Sequence, residues 1–244
     1  MTLNVFEIRN YLLQPNMREH FIDYFEANFI HTLEAENMHV LGQFRLIGEP
    51  DHYVWMRAYE NMDTRRDALF GFYDGPVWKQ HRTTTNGMII DSDNVHLLRP
   101  LDNNLDLTCG QTSATIAAAL ADSSISPQTG MVAVDIYQSH PGQRDDLIAA
   151  FQNDLMPIYL SEAIDVRGCL VAEMSQNTFP RHPAFQNEHE FVVITVHESE
   201  EQGKAIRSQL APTVSQILGS YLSEPPESLL LSPTLRSPLR YLPR

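Results

Sequence analysis

Residues 5–12, Val5-Phe6-Glu7-Ile8-Arg9-Asn10-Tyr11-Leu12, set Phe6 and Ile8 against Glu7, Arg9 and Tyr11, the period of a strand. Pro15 then opens a segment in which Met17, Phe21, Phe25 and Phe29 recur every fourth residue, the apolar stripe of a helix. The stretches 39–47 and 52–60 read as a second and third strand. A second helix is predicted over 63–81, with Asn61 or Asp63 as its cap, and a short last strand over 95–99, closing at Pro100. The same order returns downstream: strand 131–138, helix 142–161, strands 166–174 and 190–197, helix 199–220 and strand 228–232. Pro212 lies inside the last of these helices, where a kink or break is expected.

The return is visible in the residues themselves. Val5-Phe6-Glu7-Ile8-Arg9-Asn10-Tyr11 followed by Pro15 reappears as Met131-Val132-Ala133-Val134-Asp135-Ile136-Tyr137 followed by Pro141. At the same spacing Phe21 falls on Leu147, Phe25 on Phe151 and Gly42 on Gly168. Tyr53-Val54-Trp55-Met56-Arg57-Ala58-Tyr59-Glu60 matches Phe191-Val192-Val193-Ile194-Thr195-Val196-His197-Glu198 at a longer offset, which implies an insertion in the second copy at 175–190. The expected organisation is an α+β chain of two tandem βαββαβ repeats, 1–101 and 131–233. Residues 102–130, rich in Asn, Ser, Thr and Ala, form a linker in which 114–121 could coil into a short helix. The tail 234–244 either wraps onto the other copy or frays.

A βαββαβ unit carries both helices on one face of its sheet, so each repeat needs something to cover the other face, and two repeats can cover each other. The alternation groups Phe6 and Ile8 with Val54, Met56 and Ala58; these apolar sets are expected to pack on the helices. The opposite set, Glu7, Arg9, Tyr11, Tyr53, Trp55, Arg57 and Tyr59, is then expected to line an enclosed space between the two sheets, with Asp135, Tyr137, Thr195 and His197 facing it from the second copy.

A formal net charge of −14, with only 17 Lys and Arg, leaves no basic stripe for nucleic acid or an anionic membrane. No run reaches the roughly 20 apolar residues of a membrane span. Two cysteines without paired spacing fit a reducing compartment, and the first residues carry no signal-peptide pattern, so a cytoplasmic location is expected.

Phe6-Glu7-Ile8-Arg9-Asn10-Tyr11, Pro15, Leu41-Gly42-Gln43-Phe44, Trp55-Met56-Arg57-Ala58-Tyr59, Arg65-Arg66, Gly75-Pro76-Val77-Trp78 and Leu97-Leu98-Arg99-Pro100 together resemble the NIPSNAP family in order and spacing. The resemblance covers 4–101 well and 131–233 in outline. It implies ferredoxin-like repeats packed sheet to sheet as a dimeric α+β barrel, one chain supplying both halves. That wider group includes cofactor-independent monooxygenases, haem-binding and haem-degrading enzymes, polyketide cyclases and proteins without known activity, so the fold does not fix the function.

Glu7, Arg9, Tyr11 and Trp55, with Asp135 and Tyr137, are the candidate binding residues for a small anionic or aromatic molecule; Arg57, Tyr59 and His197 are the candidates for orienting it and moving protons. The competing reading of the same face is a structural ion-pair layer that fixes how the sheets meet. For His197 that reading is a buried imidazole hydrogen-bonded to a neighbour. The ten histidines include no metal-binding spacing, and no cofactor is expected. His182 and His189, in the insertion, keep open a haem reading through an axial imidazole. The leading expectation is a small-molecule site inside the barrel, with monooxygenase, isomerase or cyclase chemistry; the alternatives are a non-catalytic interaction protein with a packed interior and a haem-binding barrel. Association into a homo-oligomer is left open.

Overall fold

The computed structural model describes residues 2–102 and 105–243. Among these, eight strands form one closed antiparallel barrel: β1 (Val5–Leu13), β2 (His39–Leu46), β3 (His52–Tyr59), β4 (Ile89–Pro100), β5 (Met131–Gln138), β6 (Asp165–Ala172), β7 (Glu190–His197) and β8 (Glu227–Pro233). The order around the barrel is β1-β3-β2-β8-β5-β7-β6-β4. Each half is built on a long central pairing, β1 with β3 from Val5↔Tyr59 to Leu12↔His52, and β5 with β7 from Met131↔His197 to Gln138↔Glu190. The halves join at two short seams, β2 to β8 at Phe44↔Pro233 through Leu46↔Leu231, and β4 to β6 at Leu98↔Ala172 through Pro100↔Leu170. A proline lies at one end of each seam, where a missing N–H interrupts least of the ladder.

Phe6, Ile8, Val54, Met56 and Ala58 point into the barrel and meet Val132, Val134, Ile136, Val192, Ile194, Leu229 and Leu231 in a single buried apolar cluster. The expected assignment of faces is therefore reversed: the apolar sets fill the barrel, and the charged and aromatic set lies outside it, beneath the helices. Both faces are buried, so apolarity does not tell them apart. The narrow bore of an eight-stranded barrel does, because it is filled by side chains and leaves no room to pair or hydrate ions.

On the outer face of the first half lie α1 (Arg18–Asn28), α2 (Ile30–Ala35), α3 (Met62–Tyr73) and α4 (Pro76–Met88), which pack Phe21, Phe25, Phe29, Leu69 and Phe72 against Tyr11, Tyr53, Trp55 and Tyr59. Asn61 caps α3, accepting from the backbone N–H groups of Asp63 and Thr64. The helix expected over 63–81 divides at Gly75, because Pro76 starts a new first turn, where its missing N–H costs nothing. β4 begins at Ile89 rather than 95; its first residues pair with β1, Leu13↔Ile89 and Leu12↔Asp91, but the exposed Ile90 and Asp91 blur the strand period. In the connecting segment α5 (Ser113–Ala121) is capped by Thr112, and Ile116 is buried.

The second half carries α6 (Arg144–Ala150), a π-helical turn (Phe151–Leu155), α7 (Met156–Ser161) and α8 (Glu200–Leu218) over Tyr137, Val171, Phe191 and Val193. α8 runs through Pro212 without the expected break. Beyond β8 the tail wraps: the Leu239 N–H donates to the Leu41 carbonyl at 2.8 Å, the Tyr241 N–H to that of Thr129 at 2.9 Å, and Leu239 enters the barrel cluster. Among the described residues, no helix is long and apolar enough to cross a membrane.

Candidate functional site

Adjacent β1 and β3 set Glu7 opposite Arg57 and Arg9 opposite Trp55, and α3 brings Arg65 down onto them. One Glu7 carboxylate oxygen accepts from Arg9 Nη1 at 2.8 Å and Arg57 Nε at 2.8 Å; the other accepts from Arg65 Nε at 2.6 Å. All four side chains are fully buried. Burial alone would raise the Glu7 carboxyl, but the attraction of Arg57, Arg65 and Arg9 overrides it and holds the group well below the usual carboxylate range. Three guanidinium groups thus face one carboxylate, an unbalanced positive charge inside the protein.

The neighbours absorb some of it without charge. Arg9 Nε donates to the Tyr11 hydroxyl at 3.0 Å, and Arg57 lies over the Trp55 ring, 4.9 Å from its centroid. The insertion that follows β6 supplies two further uncharged acceptors. Asn177 Oδ1 accepts from Arg65 Nη1 at 3.0 Å, and Arg9 Nη2 lies 3.4 Å from His182 Nδ1. Burial, reinforced by repulsion from Arg9 and Arg57, pushes His182 down to about 3, so the neutral imidazole accepts at that nitrogen. The segment is seated by Thr178, whose hydroxyl donates to the Met62 carbonyl at 3.1 Å, by an Arg181–Asp74 ion pair at 2.9 Å, and by Phe185, which bonds to the backbone of β4. An insertion from one half therefore closes over the charged face of the other.

In front of this cluster, between the helices and the sheet, is a cavity of about 500 Å³ walled by Tyr11, Phe25, Trp55, Phe72, Tyr73, Trp78, Phe179 and His182, with Lys79, Arg82, Arg181 and Asp74 toward its mouth. The arginines of the cluster stand one side-chain layer behind it. Among the described residues Trp55 Nε1, Tyr59 Oη and Arg65 Nη2 are buried without a hydrogen-bond partner. Burial raises both the Tyr59 and the Tyr73 phenol, leaving them protonated near neutrality.

Asp135, Tyr137, Thr195 and His197 lie together, but on the second half, lining a different cavity of about 620 Å³ with Tyr159 and Arg207. Arg207 makes a bidentate pair with Asp135 at 2.7 and 2.5 Å, and the Ser228 hydroxyl donates to the same carboxylate at 2.5 Å. Burial, then the Arg207 charge, lowers His197 to about 4, and its Nε2 is 3.1 Å from the Thr195 hydroxyl.

The structure thus gathers Glu7, Arg9, Tyr11, Trp55, Arg57 and Tyr59 at one site and Asp135, Tyr137 and His197 at another. It does not bring His197 to Arg57 and Tyr59, because the two sets lie on the outer faces of opposite halves of the barrel, with its filled core between them. His189 is not at either cavity; it sits 3.8 Å from Glu188. Sequence reasoning missed Arg65, Tyr73, Tyr159 and Arg207 as site residues. A signal existed for two of them. Arg65 shares a helical stripe with Ala68, Leu69 and Phe72, and Arg207 one with Leu210, Ala211 and Val214, and a cation within an apolar stripe points at a buried partner. Among the described residues, no group of three His, Cys, Asp or Glu side chains could hold a metal ion.

Residues 6–103 match the family described as NIPSNAP. No curated protein matches the chain. Among solved structures, one from Fusobacterium nucleatum subsp. nucleatum, described as a candidate monooxygenase, is similar at 7% identity and a TM-score of 0.60, over 95% of this chain and 92% of that one. A second candidate monooxygenase, from Lactobacillus acidophilus NCFM, is 11% identical with a TM-score of 0.58 over 95% and 94%. A protein described as anthrone oxidase-like is 10% identical with a TM-score of 0.57 over 95% and 91%. At these identities the likeness is one of fold.

Proposed function

We propose, from the match of residues 6–103 to the NIPSNAP family, that the first half of the chain binds a small aromatic anion in the cavity between Trp55 and the helices. The reading rests on one observation, three buried arginines set against one buried glutamate directly behind an aromatic cavity. A unit charge about 7 Å away at an effective dielectric near 20 is worth roughly 2 kcal/mol to an anion. Tyr11, Trp55 and Phe72 would hold the ring, while Arg9, Arg57 and Arg65 supply the field and Lys79 and Arg82 draw the charge in. In this reading the chain is two ferredoxin-like repeats, 1–101 and 131–233 joined by 102–130, and the insertion of the second repeat encloses the site of the first.

The chemistry such a field favours is cofactor-free oxygenation. An anthrone-type ketone loses a methylene proton to solvent and becomes an aromatic enolate, which the arginines stabilise. The enolate passes an electron to dioxygen, the two radicals combine at the former methylene carbon, and the peroxide sheds water to leave a second carbonyl. One oxygen atom stays in the product; the other departs as water with the proton taken back and the remaining C–H hydrogen. His182, held near 3, is too weak a base to lead the deprotonation, so the field carries it. A non-catalytic reading draws on the apolar barrel interior, which leaves the ion cluster a purely structural part.

Calorimetric titration with 2-naphthoate and with uncharged 2-methylnaphthalene separates the two. The wild type binds the anion more tightly, and Arg57→Met weakens the anion about tenfold while leaving the hydrocarbon unchanged. Equal affinity for both probes, or equal loss of both, overturns the anion site. Dioxygen uptake with anthrone, faster than in buffer and slowed by Arg57→Met, supports the oxygenation step; uptake at the buffer rate removes it.

A further inference from the structure

The cavity on the second half has a balanced electrostatic character instead, and it plays no part in the function proposed above. Its one guanidinium group, Arg207, has both terminal nitrogens committed to Asp135, whose oxygens are in turn occupied by Arg207 and Ser228. Those two charges cancel. His197 is held neutral, and the Tyr159 phenol, raised to about 12 by burial and then by the Asp135 charge, keeps its proton. At the mouth the exposed Glu224 adds a carboxylate that repels anions. Between these polar groups the wall is apolar, formed by Ile164, Leu210, Ala211, Val214 and Leu222. A volume of about 620 Å³ lies within the usual range for small-molecule sites.

We infer that this second-half cavity is a separate binding site for an uncharged, largely apolar molecule carrying a hydroxyl or carbonyl group. The hydroxyl or carbonyl meets the tyrosine hydroxyls and the His197 edge at the inner end, and the hydrocarbon body lies along α8. The Asp135–Arg207 pair sets the specificity: because it is internally balanced, it leaves the inner end of the cavity without a net charge for an ion to answer. One chain would thus hold two cavities that sort related molecules by ionisation state, the anion on the first half and the neutral form on the second.

Titration calorimetry of the full chain with 2-naphthol, uncharged at neutral pH, and with its charged analogue 2-naphthoate tests this directly. Ala211 lines the cavity from an exposed position, so Ala211→Trp fills it without touching the core. The expected result is that wild-type protein binds 2-naphthol saturably, that Ala211→Trp weakens that binding at least about tenfold, and that it leaves 2-naphthoate unaffected. Asp135→Asn frees the Arg207 charge and should add a 2-naphthoate site, which Ala211→Trp then removes. Absence of saturable 2-naphthol binding, 2-naphthol affinity unmoved by Ala211→Trp, or loss of 2-naphthoate in that variant overturns the inference. None of these outcomes depends on whether Arg57→Met weakens 2-naphthoate, so the two sites stand or fall separately.

Discussion

Glu7 is the single side chain on which the first-half cluster depends. Its two oxygens hold three arginines, and nothing else among the described residues offers those arginines a carboxylate. Glu7→Gln leaves three buried cations uncompensated and is expected to cost about 3–5 kcal/mol, measured by urea unfolding at neutral pH. A loss below about 1 kcal/mol would show that the field is neutralised by other means. The pH dependence carries the same signature. The folded carboxyl is depressed relative to the unfolded one, so its contribution is complete above the unfolded value of about 4.3 and is lost as pH falls below it toward the folded value. Wild-type stability should therefore fall more steeply than that of Glu7→Gln between about pH 5 and pH 3. Strand alternation made the cluster visible as a row of charged and aromatic positions on two strands. It could not say which side of the sheet they faced, since the helices bury one side and the opposing sheet the other.

At the scale of elements, strands were the most legible part, because period-two alternation survives burial on both faces when one set is charged. Helix ends were less so. Pro76 divides a segment that reads as one helix, whereas Pro212, which reads as a break, is absorbed by a helix supported along its length by Leu210 and Leu218. The contacts of α8 with the sheet are tight at one point. A Cβ on Gly203 would stand 2.3 Å from the Met131 methyl and 3.0 Å from both Cβ and Cγ of His197. Gly203→Ala gains roughly 1 kcal/mol of helix propensity, yet it should destabilise the protein on balance by about 1–2 kcal/mol, since the methyl can swing away and the start of the imidazole cannot. Chemical unfolding decides the sign. A net stabilisation would mean that α8 can lift from β5 and β7 without loss. The 175–190 insertion had no legible role, because its partners, Arg9, Arg65 and β4, are distant in sequence and nothing local to the loop points to them.

For the whole molecule, the halves are joined by two short seams and one shared core. Phe6, Ile8, Val54 and Met56 share that core with Val132, Val134, Ile136, Val192, Ile194, Leu229 and Leu231 of the other half. Residues 1–101 expressed alone would expose that face, and the expected outcome is a dimer by light scattering, each copy covering its twin; a stable monomer would show that the barrel core is dispensable. The succession of strands and helices along the chain was legible, whereas the packing of the 175–190 loop onto the other half was not, because it is a relation between elements rather than a property of either. That first-half enclosure also concentrates the chain's optical reporters. Its two tryptophans are Trp55 and Trp78, both walls of the same cavity, and the second half has none. Excited in the indole band, the protein emits from one cavity alone, with Arg57 set against the Trp55 ring. A molecule entering the first half alters that emission directly, while the second fills in the dark.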